Sequence, residues 1–249
     1  MAFTNNHGVR IHYEVIGKGI PLILHHGLTA SWVDWIEWGY VDALKDDYLL
    51  ILPDGRGHGL SDKPHDTTAY DLHHRVGDVT AVLDDLGIAQ AHYFGYSMGG
   101  YIGLGMAKHA RERIKAFVIG GTHPYEEDLT AFRNVVKPDV FPRVVDNLLG
   151  AGATPGIRAR MLANDLAALG ASVVHDRPSV ADDVIPLLQT ARCLLFVGDA
   201  DPRFANVQKF AAQLPNATCF TVPGRDHIAT LVHSEQVLPG VKKFLAAQG

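Results

Sequence analysis

Short apolar runs rich in branched side chains alternate with longer stretches of helical period along most of the chain, and this alternation constrains the fold more than any single residue. Runs apolar throughout suit strands covered on both faces, and strands separated by helix-length crossovers suit a mainly parallel sheet, an α/β architecture. The predicted strands are 9–16 (VRIHYEVI), 20–26 (IPLILHH), 48–53 (YLLILP), 91–96 (AHYFGY), 114–120 (IKAFVIG), 191–198 (ARCLLFVG) and 217–222 (ATCFTV). Helices are predicted near 32–45, 70–86, 99–109, 203–213 and 230–247. VRIHYEVI alternates apolar with polar residues, which predicts an antiparallel strand at the sheet edge.

One interval breaks the rhythm. From Thr122 to Thr190 no strand pattern occurs, only helical pieces interrupted by Pro138, Pro142, Gly152, Pro155, Gly156 and Pro178. A small helical insertion is expected there. It falls where an open parallel sheet carries a lid over the carboxyl ends of its strands, the edge at which such sheets bind ligands.

Composition narrows the function classes. With 249 residues, 47% of them hydrophobic, the chain can build one large core. Its 22 basic residues face 27 acidic ones, for a net charge of −5, and no basic stripe forms, so nucleic acid is not an expected partner. The start MAFTNNHGVR lacks a secretory pattern and no apolar run reaches the roughly 18–20 residues of a bilayer span, so a cytoplasmic protein without membrane contact is expected. Cys193 and Cys219 each sit inside an apolar run and are expected to be reduced core residues.

GYSMG at 95–99 matches G-x-S-x-G, with a predicted strand before it and a predicted helix after it. A tight turn in that setting lifts the Ser97 hydroxyl above the sheet edge, and glycines flank it because side chains there would collide with the neighbouring strand and helix. A serine hydroxyl is a weak nucleophile at neutral pH. It needs an imidazole to take its proton, and the imidazole needs a carboxylate to hold its tautomer. Both follow in the order acid then histidine: GDADP at 198–202 and PGRDH at 223–227, each after a predicted strand. The predicted roles are Ser97 nucleophile, Asp201 orienter and His227 base. Asp199 is an alternative acid on spacing, with Asp201 preferred because it lies farther beyond the strand end, before Pro202. Asp226 reads as a solvated loop residue.

With these residues in place, the chain resembles the serine-nucleophile branch of the α/β-hydrolase fold family, carboxylesterases and lactonases among them. HHGL at 25–28 is similar to that family's His-Gly loop, DGRGHGLSD at 54–62 to its D-x-R-G-x-G-x-S loop, and the Ser97, Asp201 and His227 motifs complete the set. The resemblance implies an eight-stranded, mostly parallel sheet flanked by helices, with a core of residues 1–121 and 191–249 and a helical lid, 122–190, after the sixth strand. It also implies backbone oxyanion donors at Leu28 and Met98. His26 and Arg56 then read as structural. Trp32, just after the His-Gly loop, and Tyr125 in the insertion are candidate substrate walls. Phe132 and Phe141 either overhang the site or form the lid's own core, while Trp35 reads as core.

No cofactor is implied. No metal is expected at His25–His26, where adjacent strand residues point to opposite faces, or at His73–His74 either, since no carboxylate or cysteine cluster accompanies them. The expected activity is cleavage of a small-molecule carboxylic ester or lactone through an acyl group on Ser97. Haloperoxidases without a cofactor and carbon–carbon bond hydrolases of the same fold are alternatives. A small-molecule receptor that keeps the three residues is an alternative of another kind.

Overall fold

The computed structural model describes residues 1–149 and 154–248, so Gly152 of the expected insertion lies outside the described residues. Eight strands, β1 (Ala2–Asn6), β2 (Val9–Gly17), β3 (Ile20–His25), β4 (Tyr48–Pro53), β5 (Ala91–Tyr96), β6 (Ile114–Gly120), β7 (Arg192–Gly198) and β8 (Thr218–Val222), form one sheet. Their order is β1-β2-β4-β3-β5-β6-β7-β8. β2 runs antiparallel to β1 and to β4, and all other pairs are parallel.

Strand period explains the layering. In β3, β4, β5, β6 and β7, Ile23, Ile51, Tyr93, Phe117 and Leu195 face one apolar layer with the helices Leu72–Asp85 and Met98–His109. Their neighbours Leu22, Leu50, Phe94, Val118 and Phe196 face the opposite layer with Trp35, Tyr40 and the helix Ser234–Ala246. Both faces are therefore dry, which is why these runs contain almost no polar residue. Trp35 is fully buried, edge-on to Tyr40 and Phe94 with ring centroids 4.9 and 5.0 Å away.

Three elements depart from the sequence expectation. β2 is antiparallel but lies one strand in from the edge, because β1 covers it through a two-residue turn in which His7 (φ 51°) and Gly8 (φ 87°) are both left-handed. The expected helix 32–45 is two helices, Trp32–Glu37 and Tyr40–Leu44, divided at Gly39 (φ 80°). The expected helix 230–247 is likewise two, His227–Val232 and Ser234–Ala246.

Between β6 and β7 lie the helices Thr130–Val135, Phe141–Leu149, Pro155–Leu162, Leu166–Ser172 and Ala181–Gln189. Leu129, Phe141, Val145, Ile157, Met161 and Leu169 bury one another in a separate small core, with Phe132 packed against it. Ala181–Gln189 does not join that core: Val184 and Leu188 pack into the main layer beside Met98–His109.

Candidate active site

β5 ends in Gly95-Tyr96, and the chain turns within one residue into the helix Met98–His109. Ser97, at φ 53° and ψ −112°, occupies a backbone region that a side chain rarely adopts, at a cost of roughly 1–3 kcal/mol. The flanking glycines make the turn possible. A Cβ on Gly95 would stand 2.3 Å from the Gly99 carbonyl oxygen, and one on Gly99 would stand 2.1 Å from that of His25 on β3.

Ser97, Asp201 and His227 meet at the carboxyl edge of the sheet. His227 Nε2 lies 2.9 Å from Ser97 Oγ, and Nδ1 lies 2.6 Å from Asp201 Oδ2. Asp201 Oδ1 accepts the Arg203 backbone N–H at 2.9 Å, so both carboxylate oxygens are engaged. Burial alone would raise the Asp201 pKa; the bond to His227, its charge and the Arg203 N–H outweigh burial and hold it below the usual carboxylate value. An ionised Asp201 accepts from Nδ1–H, leaving Nε2 with its lone pair toward Ser97 Oγ. Asp199 does something else: its Oδ1 accepts the Gly224 N–H at 2.7 Å and closes the turn before Arg225. Asp226 is exposed and caps the helix His227–Val232 by accepting the Ala229 N–H at 2.8 Å, so His227 opens a helix rather than sitting on a free loop.

Three further side chains surround this arrangement: Tyr96, inside the 95–99 motif, and Arg203 and Glu127, which no motif announces. Tyr96 lies under the imidazole, ring centroids 5.2 Å apart, and its hydroxyl donates to the His227 carbonyl. Arg203 places Nη1 3.4 Å from His227 Nδ1; with Nδ1–H committed to Asp201, that contact is a nearby positive charge rather than a second hydrogen bond. Glu127, in the segment after β6, pairs with Arg203 and with Arg177.

The loop after β3 is built around two buried polar groups. Gly55 N–H donates to His26 Nε2 at 3.0 Å, so the ring proton is on Nδ1, which donates to the Gly27 carbonyl at 2.8 Å. The peptide is planar and trans, so fixing that carbonyl turns the Leu28 N–H the opposite way. Asp54 accepts from the Trp32 and Leu60 N–H groups and from His12 Nδ1, each at 2.9 Å, tying the loop to β2. From the segment between β6 and β7, Asn164 donates to the Thr29 carbonyl at 2.9 Å. The loop abuts the serine, since a Cβ on Gly27 would lie 3.5 Å from Ser97 Cβ, and neither the Leu28 nor the Met98 N–H donates to a protein acceptor among the described residues. Arg56 is buried and bonds Asp78 through Nε at 2.7 Å and Nη2 at 2.6 Å, joining the 54–62 loop to the helix Leu72–Asp85.

Leu28, Met98, Tyr101 and Arg75 line a cavity of about 160 Å³ together with Leu129 and residues 171–178; Ser97, Asp201 and His227 do not line it. Neither Trp32 nor Tyr125 lines it. Trp32, with its N–H held by Asp54, lines a second cavity of about 280 Å³ with Leu60, Arg160 and Asn164, its ring 6.0 Å from that of His12. Tyr125 bonds Gln213 through its hydroxyl, with Lys209 Nζ 4.3 Å above its ring. Among the described residues no group of three or more His, Cys, Asp or Glu side chains is arranged to hold a metal, and no helix is long and apolar enough to cross a membrane. Cys193 and Cys219 are free.

A mostly parallel eight-stranded sheet with a serine on the strand-to-helix turn of its central strand defines a single class of fold. The chain belongs to the alpha/beta hydrolase fold family, whose model matches residues 20–161. Over 122 residues it is 39% identical to a cis-3-alkyl-4-alkyloxetan-2-one decarboxylase of Shewanella oneidensis, a match that covers 48% of this chain and 38% of that protein. Over 115 residues it is 34% identical to an epoxide hydrolase of Siraitia grosvenorii, covering 46% of this chain and 36% of that one. The chain thus spans well under half the length of these curated relatives. The solved enol-lactonase of Burkholderia xenovorans superposes with a TM-score of 0.82 over 98% of this chain and all of its own at 20% identity, which shows a shared fold.

Proposed function

We propose that the chain is a serine hydrolase that cleaves carboxylic esters or lactones of small molecules. The observation that carries this reading is the continuous line Ser97 Oγ, His227, Asp201, with contacts of 2.9 and 2.6 Å. In the proposed reaction Ser97 Oγ attacks the substrate carbonyl while His227 Nε2 takes its proton. The imidazolium, steadied by Asp201, returns that proton to the leaving alkoxide, and the acyl group stays on Ser97. Water then attacks the acyl carbonyl, its proton going to Nε2 and on to Ser97 as the acid departs.

Negative charge develops on the carbonyl oxygen only as the tetrahedral intermediate forms. The Leu28 and Met98 N–H groups are the proposed donors to it. Removing one such donor typically costs about 100- to 1,000-fold in rate. Their lack of protein acceptors and the fixed Gly27 carbonyl support the assignment. A serine at this turn also speaks against chemistry that needs a carboxylate nucleophile there.

The test is hydrolysis of p-nitrophenyl acetate by the wild type and by Ser97→Ala. Wild-type turnover at or above roughly 1 per second, the low end of ordinary enzyme rates, is expected. The variant should be inactive while its circular dichroism is unchanged. Turnover retained by the folded variant overturns the reading.

A further inference from the structure

The arginines around the site outnumber their partners. Arg56 is paired with Asp78, and Arg177 and Arg203 share Glu127. Arg75, on the first turn of the helix Leu72–Asp85, is 9% exposed and has no ion-pair partner among the described residues. Its Nε donates to the Tyr70 carbonyl at 2.7 Å and its Nη2 to the Ser172 carbonyl at 2.9 Å; Nη1 has no protein acceptor among the described residues. Burial pushes the Arg75 pKa down to about 10, which leaves it charged at neutral pH. A guanidinium held away from water without a counterion is costly. A ligand that brings the counterion removes that cost.

Arg75 lines the same cavity as Leu28 and Met98; Met98 follows Ser97 in the chain and Leu28 follows Gly27, on which a Cβ would lie 3.5 Å from Ser97 Cβ, so the cavity lies beside the serine and a substrate must span from it to Ser97, which does not itself line it. The lining acids do not neutralise Arg75: Asp176 Oδ1 already accepts from the Leu129 N–H and from Arg133, and Asp71 is exposed. At about 160 Å³ the cavity is close to the roughly 150 Å³ that takes a benzene ring, which is room for about six heavy atoms.

We propose that this cavity is an anion subsite and that the substrate is an ester or lactone bearing a carboxylate on a short arm, paired with Arg75. The proposal rests on the serine hydrolase reading above and names the substrate class of that site. A planar guanidinium suits a carboxylate, and a hydrogen bond to a charged group is strong enough to be worth about ten- to a hundredfold in binding.

The test compares mono-p-nitrophenyl glutarate with p-nitrophenyl hexanoate, an uncharged ester of similar length. The wild type should favour the glutarate by at least about tenfold in kcat/KM, Arg75→Met should cut that ratio about tenfold or more, and Arg75→Lys should restore part of it. Free glutarate should compete with hexanoate hydrolysis by the wild type and should bind folded Ser97→Ala protein in calorimetry. Equal efficiency on the two esters with no glutarate binding overturns the subsite and leaves the hydrolase reading standing. No turnover of either ester overturns the hydrolase reading, and calorimetry on the Ser97→Ala protein still reads the subsite. Should Arg75→Met fail to fold, the wild-type ratio and glutarate binding decide alone.

Discussion

Asp201→Asn and Asp199→Asn differ by one atom each from the wild type and stand two residues apart, yet the structure assigns them opposite outcomes. Asp201 Oδ1 accepts the Arg203 N–H and Oδ2 faces His227 Nδ1. An asparagine must keep its carbonyl oxygen on the Arg203 N–H, so its NH₂ group replaces Oδ2. Facing a donor, Nδ1 must become the acceptor, the ring proton moves to Nε2, and Nε2 can no longer take the Ser97 proton. The expected loss is about 10⁴-fold in kcat, or about 5.4 kcal/mol of barrier, with the fold retained. Asp199 accepts a single backbone N–H, from Gly224, and an asparagine oxygen can accept it as well, so kcat should stay within about twofold. The assay is steady-state hydrolysis of p-nitrophenyl acetate, with circular dichroism on both variants. A folded Asp201→Asn within tenfold of wild type, or a larger loss from Asp199→Asn, refutes the tautomer argument.

Other expectations follow from the surrounding packing. His26→Phe should lower kcat about tenfold or more while KM changes little, because His26 holds the Gly27 carbonyl and thereby aims the Leu28 N–H; a change confined to KM contradicts that role. Gly99→Ala should prevent folding or cost several kcal/mol in urea unfolding, since its Cβ would meet the rigid His25 and His26 carbonyls, whereas Gly170→Ala, with nothing within 4 Å, should be neutral or stabilise by about 0.5–1 kcal/mol. Arg56→Met should cost about 3–5 kcal/mol in the same assay by stranding the buried Asp78.

A pH dependence follows from His12. Burial would lower its pKa, but hydrogen bonds to Asp54 and Glu14 and their charges outweigh burial and raise it above 6.5. A raised folded value means the imidazolium's contribution is fully present below about 6.5 and lost as pH rises through the folded value. The difference in unfolding free energy between wild type and His12→Gln should therefore shrink on going from about pH 6 to about pH 9. A difference that grows over that range contradicts the assignment.

Much of the fold was legible because burial on both faces leaves a mark that a parallel strand cannot hide: the strands from Ile20 to Val222 were placed within a residue or so of their observed ends. β1 was not, since Phe3 and Thr4 alone do not form an alternating run and the turn uses His-Gly where the common hairpin signal is Asn-Gly. Gly39 was visible, but a lone glycine within a helical pattern does not reveal that it takes φ 80° and ends a helix.

The candidate site shows the same division. Ser97, Asp201 and His227 stood out because proton transfer demands those residue types at those strand ends. Arg203 and Glu127 did not, because a pairing across 76 positions depends on how the segment after β6 folds back and leaves no spacing to read. Trp32 is a candidate substrate wall by its nearness in sequence to Leu28; the Asp54 bond to its N–H starts a helix there, and it lines the second cavity with its ring 6.0 Å from that of His12.

The Glu127 clasp bears on how such a chain can be rebuilt. A chimaera that exchanges the whole 122–190 segment for that of another protein would remove the carboxylate that restrains Arg203 next to the imidazole. Grafts that supply an acidic side chain at that place should hold Arg203 where the parent holds it, and grafts that lack one should release it even when the new cover fits well.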